Sequence, residues 1–363
     1  MITLLRTLIH LSLVVPNADS IARVKQQMNS TTKSEWEKTI AELKLHRLLP
    51  ITFYSLKKYN LTEDIPNVYF LQMQAAYLQT QKSNTFFRLA LENLLQSLEK
   101  QNLYPVLWKG IVLADSFYPN LGTRPMGDLD FAIQSHEIEP VTKVFQSLKY
   151  SLQDEMETED AVYFLNSMGV LCDVHHRVRL FEGKESMNLT MDLKPQQINL
   201  PAIKVLEPNA MLVHLIVHLN GHAPETGITL FWILDILFVL RKWGELIDLE
   251  RLEKLMPTKK DFVCLFRIIR FLETEFKEEF PTCLSSAAKH FDPFTLEEIL
   301  RQRRLALWGL PRLRGWLRFG AIQLGFKLAN FRPNLDVSDL FFWSADYLRN
   351  YRNIGRKNSN WCS

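Results

Sequence analysis

The stretch that most constrains the fold is residues 104–133, YPVLWKGIVLADSFYPNLGTRPMGDLDFAI. Tyr104 to Trp108 is an apolar run too short for a helix, and Lys109-Gly110 breaks it directly before IVLADSF, which has helical character. Leu121 to Met126, punctuated by Gly122 and Pro125, reads as loop, and Asp128 to Ile133 as a second strand. Residues two apart on a strand share a face, so Asp128 and Asp130 project together while Leu129 and Phe131 point to the other side. Two neighbouring carboxylates repel, and burying them without a cation costs several kcal/mol. Oxygen ligands of this kind suit Mg²⁺, which keeps waters and takes substrate phosphates to complete its shell. A glycine turn opening a helix presents backbone N–H groups to anions, so the same stretch provides for phosphate as well as for metal.

Further along, Ile138 to Leu148 reads as a helix crossing back over the sheet. Tyr150 to Asp154, Val162 to Asn166 and Val170 to Val178 read as strands, with a hairpin turn at Asn166 to Gly169. Asp173 falls on the last of these, where a neighbouring strand brings a third carboxylate to Asp128 and Asp130. His175 shares its face, while Cys172, Val174 and His176 face away; a satisfied polar side chain at a sheet end is as good an account of His175 as a direct role.

These residues resemble a known family. Glycine at a strand-to-helix turn followed by Asp-x-Asp on the next strand is similar to the nucleotidyltransferase superfamily of the DNA polymerase beta type. Trp108-Lys109-Gly110, then Arg124, then GDLDFAI, then Cys172-Asp173-Val174-His175-His176 resemble more closely an uncharacterised bacterial nucleotidyltransferase family, patterned KG, R, D-[IL]-D and D-[LIV]-H. The resemblance extends from about Trp36 to about Leu240. It implies an α+β fold, a small mixed-sheet palm flanked by helical regions, that takes an NTP with Mg²⁺ or Mn²⁺. By resemblance Asp128, Asp130 and Asp173 are the catalytic metal ligands, with Asp173 nearest the attacking hydroxyl, and Gly110 admits the phosphates. Where the superfamily has Gly-Ser, this chain has Lys109-Gly110-Ile111, which puts the serine contact to triphosphate in question and leaves Lys109 and Arg124 as its expected replacements.

The flanking regions are helical in pattern. Residues 1–103 hold a helix after Ser30 to Thr32, a break at Pro50, and a longer helix from Asn67 to Lys100 with a stripe at Phe87, Leu91, Leu94, Leu95 and Leu98. At the N-terminus the apolar run is interrupted by Arg6 and His10, which predicts a short helix rather than an export signal. The palm spans 104–180. Residues 181–280 are expected to return to helix after a polar connector, GKESMNLT and MDLKPQQINLP, the best boundary in the chain. His214, His218 and His222 lie at i, i+4 and i+8, a spacing that zinc would use, but Gly221 is expected to end the helix near His222 and no fourth ligand is evident. By resemblance, His214 or His218 faces the cleft, and His218 and Asp235 are candidate cleft residues; Asp235, in a nearly all-apolar helix, has to be paired or cleft-facing.

The region 281–363 carries Arg301, Arg303, Arg304, Arg312, Arg314, Arg318, Lys327 and Arg332 among Leu, Trp and Phe. Such a basic amphipathic stretch covers a core with its arginines in water, or else meets an anionic membrane, RNA or a partner. The chain as a whole, 363 residues with 47% hydrophobic and 23% charged, is globular, and a net charge of +3 is too small to declare a nucleic-acid binder. Cys172, Cys264, Cys283 and Cys362 form no C-x-x-C pair, which fits a reducing cytoplasm. The longest later apolar stretch, Ile228 to Leu240, contains Asp235 and is short for a membrane span.

The expectation is a metal-dependent transfer of a nucleoside monophosphate to a small-molecule or protein acceptor, with pyrophosphate released. Two alternatives stand beside it: a non-catalytic nucleotide- or partner-binding protein on the same fold, and an RNA-directed enzyme supported only by the basic tail.

Overall fold

A computed structural model describes residues 2–13, 16–153, 158–176, 189–200 and 202–307. They form two compact units, one up to His214 and the other from Leu215.

The first unit opens with α1 (Ile2–Leu13), α2 (Ala18–Ser30), α3 (Lys33–Leu45), α4 (Leu49–Lys58) and α5 (Asn67–Glu99). Leu4, Leu5 and Leu8 of α1 are buried, as are Trp36, Ile40 and Leu43 of α3. The start of α3 is fixed by a capping box, in which Thr32 accepts from the Glu35 N–H and the Glu35 carboxylate accepts from the Thr32 N–H. Pro50 sits in the first turn of α4, where its missing N–H has no helical partner to lose. Phe87, Leu91, Leu94 and Leu98 of α5 are buried as one stripe.

A seven-stranded mixed sheet follows, with β1 (Val106–Leu107), α6 (Gly110–Ser116), β2 (Leu129–Ala132), α7 (Ile138–Ser147), β3 (Ser151–Leu152), β4 (Ala161–Leu165), β5 (Leu171–His175), β6 (Thr190–Leu193) and β7 (Ile203–Leu206). The strand order is β3-β4-β5-β2-β1-β7-β6. β2 lies between β1, antiparallel to it, and β5, parallel to it, with Asp130 opposite Asp173 and Ala132 opposite His175. The β4–β5 hairpin turns at Gly169, whose φ of +79° is open to glycine and strained for most other residues. Phe131, Phe145 and Phe164 are buried on the opposite side of the sheet from the carboxylates.

One segment departs from the expected pattern. The described residues from Leu189 to Glu207 do not simply return to helix: β6 and β7 add to the sheet, β7 parallel to β1 and β6 antiparallel to β7. The turn between them is held by Asp115 of α6, whose buried carboxylate accepts the backbone N–H groups of Gln196, Gln197 and Ile198 at 2.7, 2.7 and 2.9 Å. Arg88 and Glu92 of α5 bond the same turn at the Gln197 carbonyl and the Asn199 N–H.

The helix α8 (Pro208–Thr226) leads into α9 (Leu230–Trp243), α10 (Leu249–Leu255), α11 (Lys259–Phe276), α12 (Thr282–Ala288) and α13 (Leu296–Leu307). Gly221 does not end α8. An interior glycine costs about 1 kcal/mol relative to alanine, which burial of Ile216, Leu219 and Ala223 along the helix overrides. The stop comes at Gly227, in the left-handed conformation at φ +70°, its N–H bonded to the Ala223 carbonyl. In the second unit the Arg267 guanidinium is buried against Glu298 at 3.5 Å and over the Phe294 ring. Of the basic tail, Arg301, Arg303 and Arg304 lie in α13, whereas Arg312, Arg314, Arg318, Lys327 and Arg332 lie outside the described residues, as does Cys362. No helix among the described residues is long and apolar enough to cross a membrane.

Candidate functional site

The carboxylates are brought together by strand register. Asp130 and Asp173 are direct partners across β2 and β5, so their side chains leave the sheet on one face. His175, two residues on, turns its Nε2 to within 3.1 Å of Asp173 Oδ2. One donor atom each from Asp130, Asp173 and His175 lies within 4.8 Å of the others. Asp128, just before β2, stands beside them, half-buried. Its carboxyl is pushed up to about 6, first by burial and next by the charge of Asp130; Lys109 and Arg124 pull the other way.

Lys109 is the residue whose placement the sequence conceals. It caps α6 at φ +49°, ψ −125°, a backbone conformation non-glycine residues rarely adopt and one that costs on the order of 1–3 kcal/mol. That backbone directs the ammonium to Asp130 Oδ1 at 2.8 Å. Burial lowers the ammonium's pKa, but the facing carboxylates, Asp130 foremost, outweigh it, and the pKa ends above its usual value. Gly110 follows as the first residue of α6. A Cβ built there would lie 3.4 Å from the Asp128 carbonyl and 3.7 Å from both Asp130 Oδ2 and Met126 Cβ, so glycine keeps a methyl-sized space beside Asp130.

Arg124 is buried, not solvated, and its Nη1 donates to the Gly110 carbonyl at 3.1 Å. The loop carrying it is gripped by α5: Asn84 Nδ2 donates to the carbonyls of Leu121 and Arg124 at 2.6 and 2.7 Å. Asn120 Oδ1 accepts from the Gly122 N–H and from the Tyr77 hydroxyl. Arg124 thus ties the loop before Asp128 to the turn before α6. Trp108, buried at the end of β1, packs edge-on against the His175 ring at 5.1 Å and stacks on His214 at 4.7 Å.

Tyr163 was not anticipated as a neighbour. It faces Asp173 across the β4–β5 pair, and its phenol is pushed above its usual pKa by burial first and then by the Asp173 charge. Its signal in the sequence is register: it alternates with the buried Val162 and Phe164. Cys172, on the other face, is a buried thiol held well above its usual pKa by desolvation. His218 and Asp235 belong to the second unit, where His218 packs against His222 and Trp232 and Asp235 is buried in α9.

The residues present fit a divalent cation. Asp173 Oδ1 is buried without a hydrogen-bond partner, the condition a cation relieves, while Asp130 Oδ1 is met by the Lys109 ammonium and His175 Nε2 by Asp173 Oδ2. Among the described residues, no other group of three His, Cys, Asp or Glu side chains converges in this way.

The family model described as uncharacterised nucleotidyltransferase matches residues 32–270. Solved structures matched include ANT(2″)-Ia in complex with adenylyl-2″-tobramycin, at 11% identity and a TM-score of 0.38, covering 47% of this chain and 95% of that one. A solution structure of the antibiotic-resistance factor ANT(2″)-Ia matches at 12% identity and a TM-score of 0.38, covering 48% and 90%. An antigenic nucleotidyltransferase-like protein from Paracoccidioides brasiliensis matches at 16% identity and a TM-score of 0.35, covering 57% and 94%. No curated protein matches the chain.

Proposed function

Because the chain belongs to the uncharacterised nucleotidyltransferase family, we propose that it transfers a nucleoside monophosphate from an NTP to a hydroxyl of a small-molecule or protein acceptor, releasing pyrophosphate. The observation that carries the reading is the Asp130–Asp173 register with Asp128 alongside, three carboxylates on one face of a sheet beside a glycine turn.

Asp128, Asp130 and Asp173 would hold Mg²⁺ or Mn²⁺, with His175 in reach of the same position. A bound divalent cation would neutralise charge on the triphosphate and lower the pKa of the attacking hydroxyl. In the transfer itself the acceptor oxygen bonds to the α-phosphorus. The bond from that phosphorus to the α,β-bridging oxygen breaks, and its electron pair leaves with pyrophosphate. Asp173 takes the hydroxyl proton, and the His175 ring at its other oxygen orients it. Gly110 gives the phosphates access to the carboxylates, and Lys109 and Arg124 supply positive charge. Lys109 already sits on Asp130, so it serves the phosphates from that position or by swinging off it as they arrive. Cleft roles for His218 and Asp235 belong to the same proposal.

The test is pyrophosphate release and label transfer from each radiolabelled NTP with Mg²⁺ or Mn²⁺ in a cell extract. Label is expected to pass to an extract component with the wild type and to stay on the NTP with Asp128→Ala or Asp130→Ala, both variants remaining folded by circular dichroism. Equal turnover in the variants sinks the assignment. NTP binding that depends on Asp128 without any transfer points instead to a non-catalytic nucleotide-binding protein.

A further inference from the structure

Along α5 lies a cavity of about 320 Å³ that the site as described leaves unused. It is walled by Lys44 and Arg47 at the corner between α3 and α4, by Gln79, Ser83 and Asn84 of α5, and by Met126 of the loop before Asp128. Ala76, Gln79, Thr80, Ser83 and Asn84, all in the lining, recur at helical spacing, so one small and polar face of α5 forms its wall. The volume is at the lower end of small-molecule sites and corresponds to roughly ten waters.

Two features state what would fill it. Lys44 and Arg47 are exposed cations at the rim, which favours a negative group. Asn84 is fully buried, and both of its amide hydrogens are spent on the carbonyls of Leu121 and Arg124. Those two acceptors fix the amide's orientation, because a flipped amide would set oxygen against oxygen. The remaining Oδ1 is buried with no donor to satisfy it. An unmet acceptor of this kind costs about 1–3 kcal/mol, and a hydroxyl relieves it. Met126 borders both the cavity and the turn beside Asp130: it is in the lining, and its Cβ and Asp130 Oδ2 both lie 3.7 Å from where a Gly110 Cβ would stand.

We propose that this cavity is the acceptor pocket and that its occupant is a small hydroxyl-bearing anion, the size of a monosaccharide phosphate or a sugar acid. The negative group meets Lys44 and Arg47, a hydroxyl meets the wall at Asn84, and a second hydroxyl receives the nucleotide. The donor's phosphates are served by the carboxylate site and its cation, so the cavity's two basic residues serve a second anion. The acceptor role rests on the nucleotidyl-transfer reading; the binding of the anion does not.

The experiment is calorimetric titration of the full chain, without nucleotide, using glucose 6-phosphate, gluconate and neutral glucose as probes. Wild type is compared with Lys44→Glu/Arg47→Glu, with circular dichroism checking the fold and MgATP titrated in parallel, and with the milder Lys44→Gln/Arg47→Gln as a second variant. At least one of the two anions is expected to bind, glucose to bind about tenfold or more weakly, and the double variant to lose about tenfold or more in affinity for the anion, a difference of ~1.4 kcal/mol. Phosphate ester and carboxylate are told apart by which probe binds. No binding of either anion at millimolar concentration, or equal binding by the double variant, overturns the proposal. Competitive displacement of the probe by MgATP also overturns it, by assigning the cavity to the donor. Should nucleotidyl transfer itself be wrong, pyrophosphate release fails in the extract while the probe titrations still report on the cavity.

Discussion

At Asp128 the carboxyl is pushed from 3.8 up to about 6, and the direction of that shift fixes how the metal-free protein responds to pH. The folded state holds a proton there between these values that the unfolded chain has released. Stability therefore falls as pH rises through that window and stays lower above it, by on the order of 1–3 kcal/mol. Asp128→Asn carries no such group, so its urea midpoint in EDTA should fall less than the wild type's between pH 4.5 and pH 7. Mg²⁺ should raise the wild-type midpoint at neutral pH and do less for the variant. Parallel midpoints with and without Asp128 would show that the carboxyl is not strained by its surroundings. The pairing whose charge adds to the effect of burial on this carboxyl was legible in the sequence, because the period of two puts Asp128 and Asp130 on one face and the Asp173 strand is apolar enough to lie beside them. The position of Lys109 was not. Nothing in a lysine's identity announces a positive φ, and only the folded turn shows its ammonium on Asp130 rather than free for phosphate.

Among the elements, β6 and β7 were the ones hidden from the sequence, and the reason is physical. MDLKPQQINLP, which holds most of β6 and the turn after it, has too few apolar residues to state a strand, β7 (Ile203–Leu206) is only four residues long, and the turn between them is organised from outside by Asp115, some 80 residues away in the chain. That carboxylate accepts three backbone N–H groups and the Ser116 hydroxyl while fully buried. Removing it leaves those donors unmet in the interior. Asp115→Ala should destabilise the protein by about 2–4 kcal/mol, with the amides of residues 196–198 exchanging with solvent much faster than in wild type. A loss below about 0.5 kcal/mol, the usual range for a surface change, would mean that Arg88 and Glu92 of α5 hold the turn without it. By contrast α3, α5 and α7 lie where periodicity places them, because their apolar stripes, and in α3 a capping box, are local signals.

Across the whole molecule, positive charge does not accumulate: Lys and Arg number 43 against 40 Asp and Glu. Within the basic tail, Arg303 and Arg304 direct hydrogen bonds to the carbonyls of Thr226 and Leu300, so part of that charge holds α13 in place. The contact with Thr226 sits beside the most confined of the second unit's described glycines. Gly227 has φ +70°, and a Cβ there would meet the Arg303 Cα and the Gln302 carbonyl at 2.7 Å and the Arg303 nitrogen at 2.8 Å. These are backbone atoms, which cannot rotate away as a side-chain end can. Gly227→Ala therefore adds a left-handed penalty of about 1–2 kcal/mol to an overpacking penalty of about 1–3 kcal/mol. The sequence pattern points to a stop at Gly221, not here; the backbone that confines Gly227 lies 76 residues on, and no local pattern links the two. The variant should unfold at lower urea, and hydrogen exchange should quicken first at the end of α8 and along α13. An unchanged midpoint together with unchanged exchange in those two helices would show that α13 does not press on this turn.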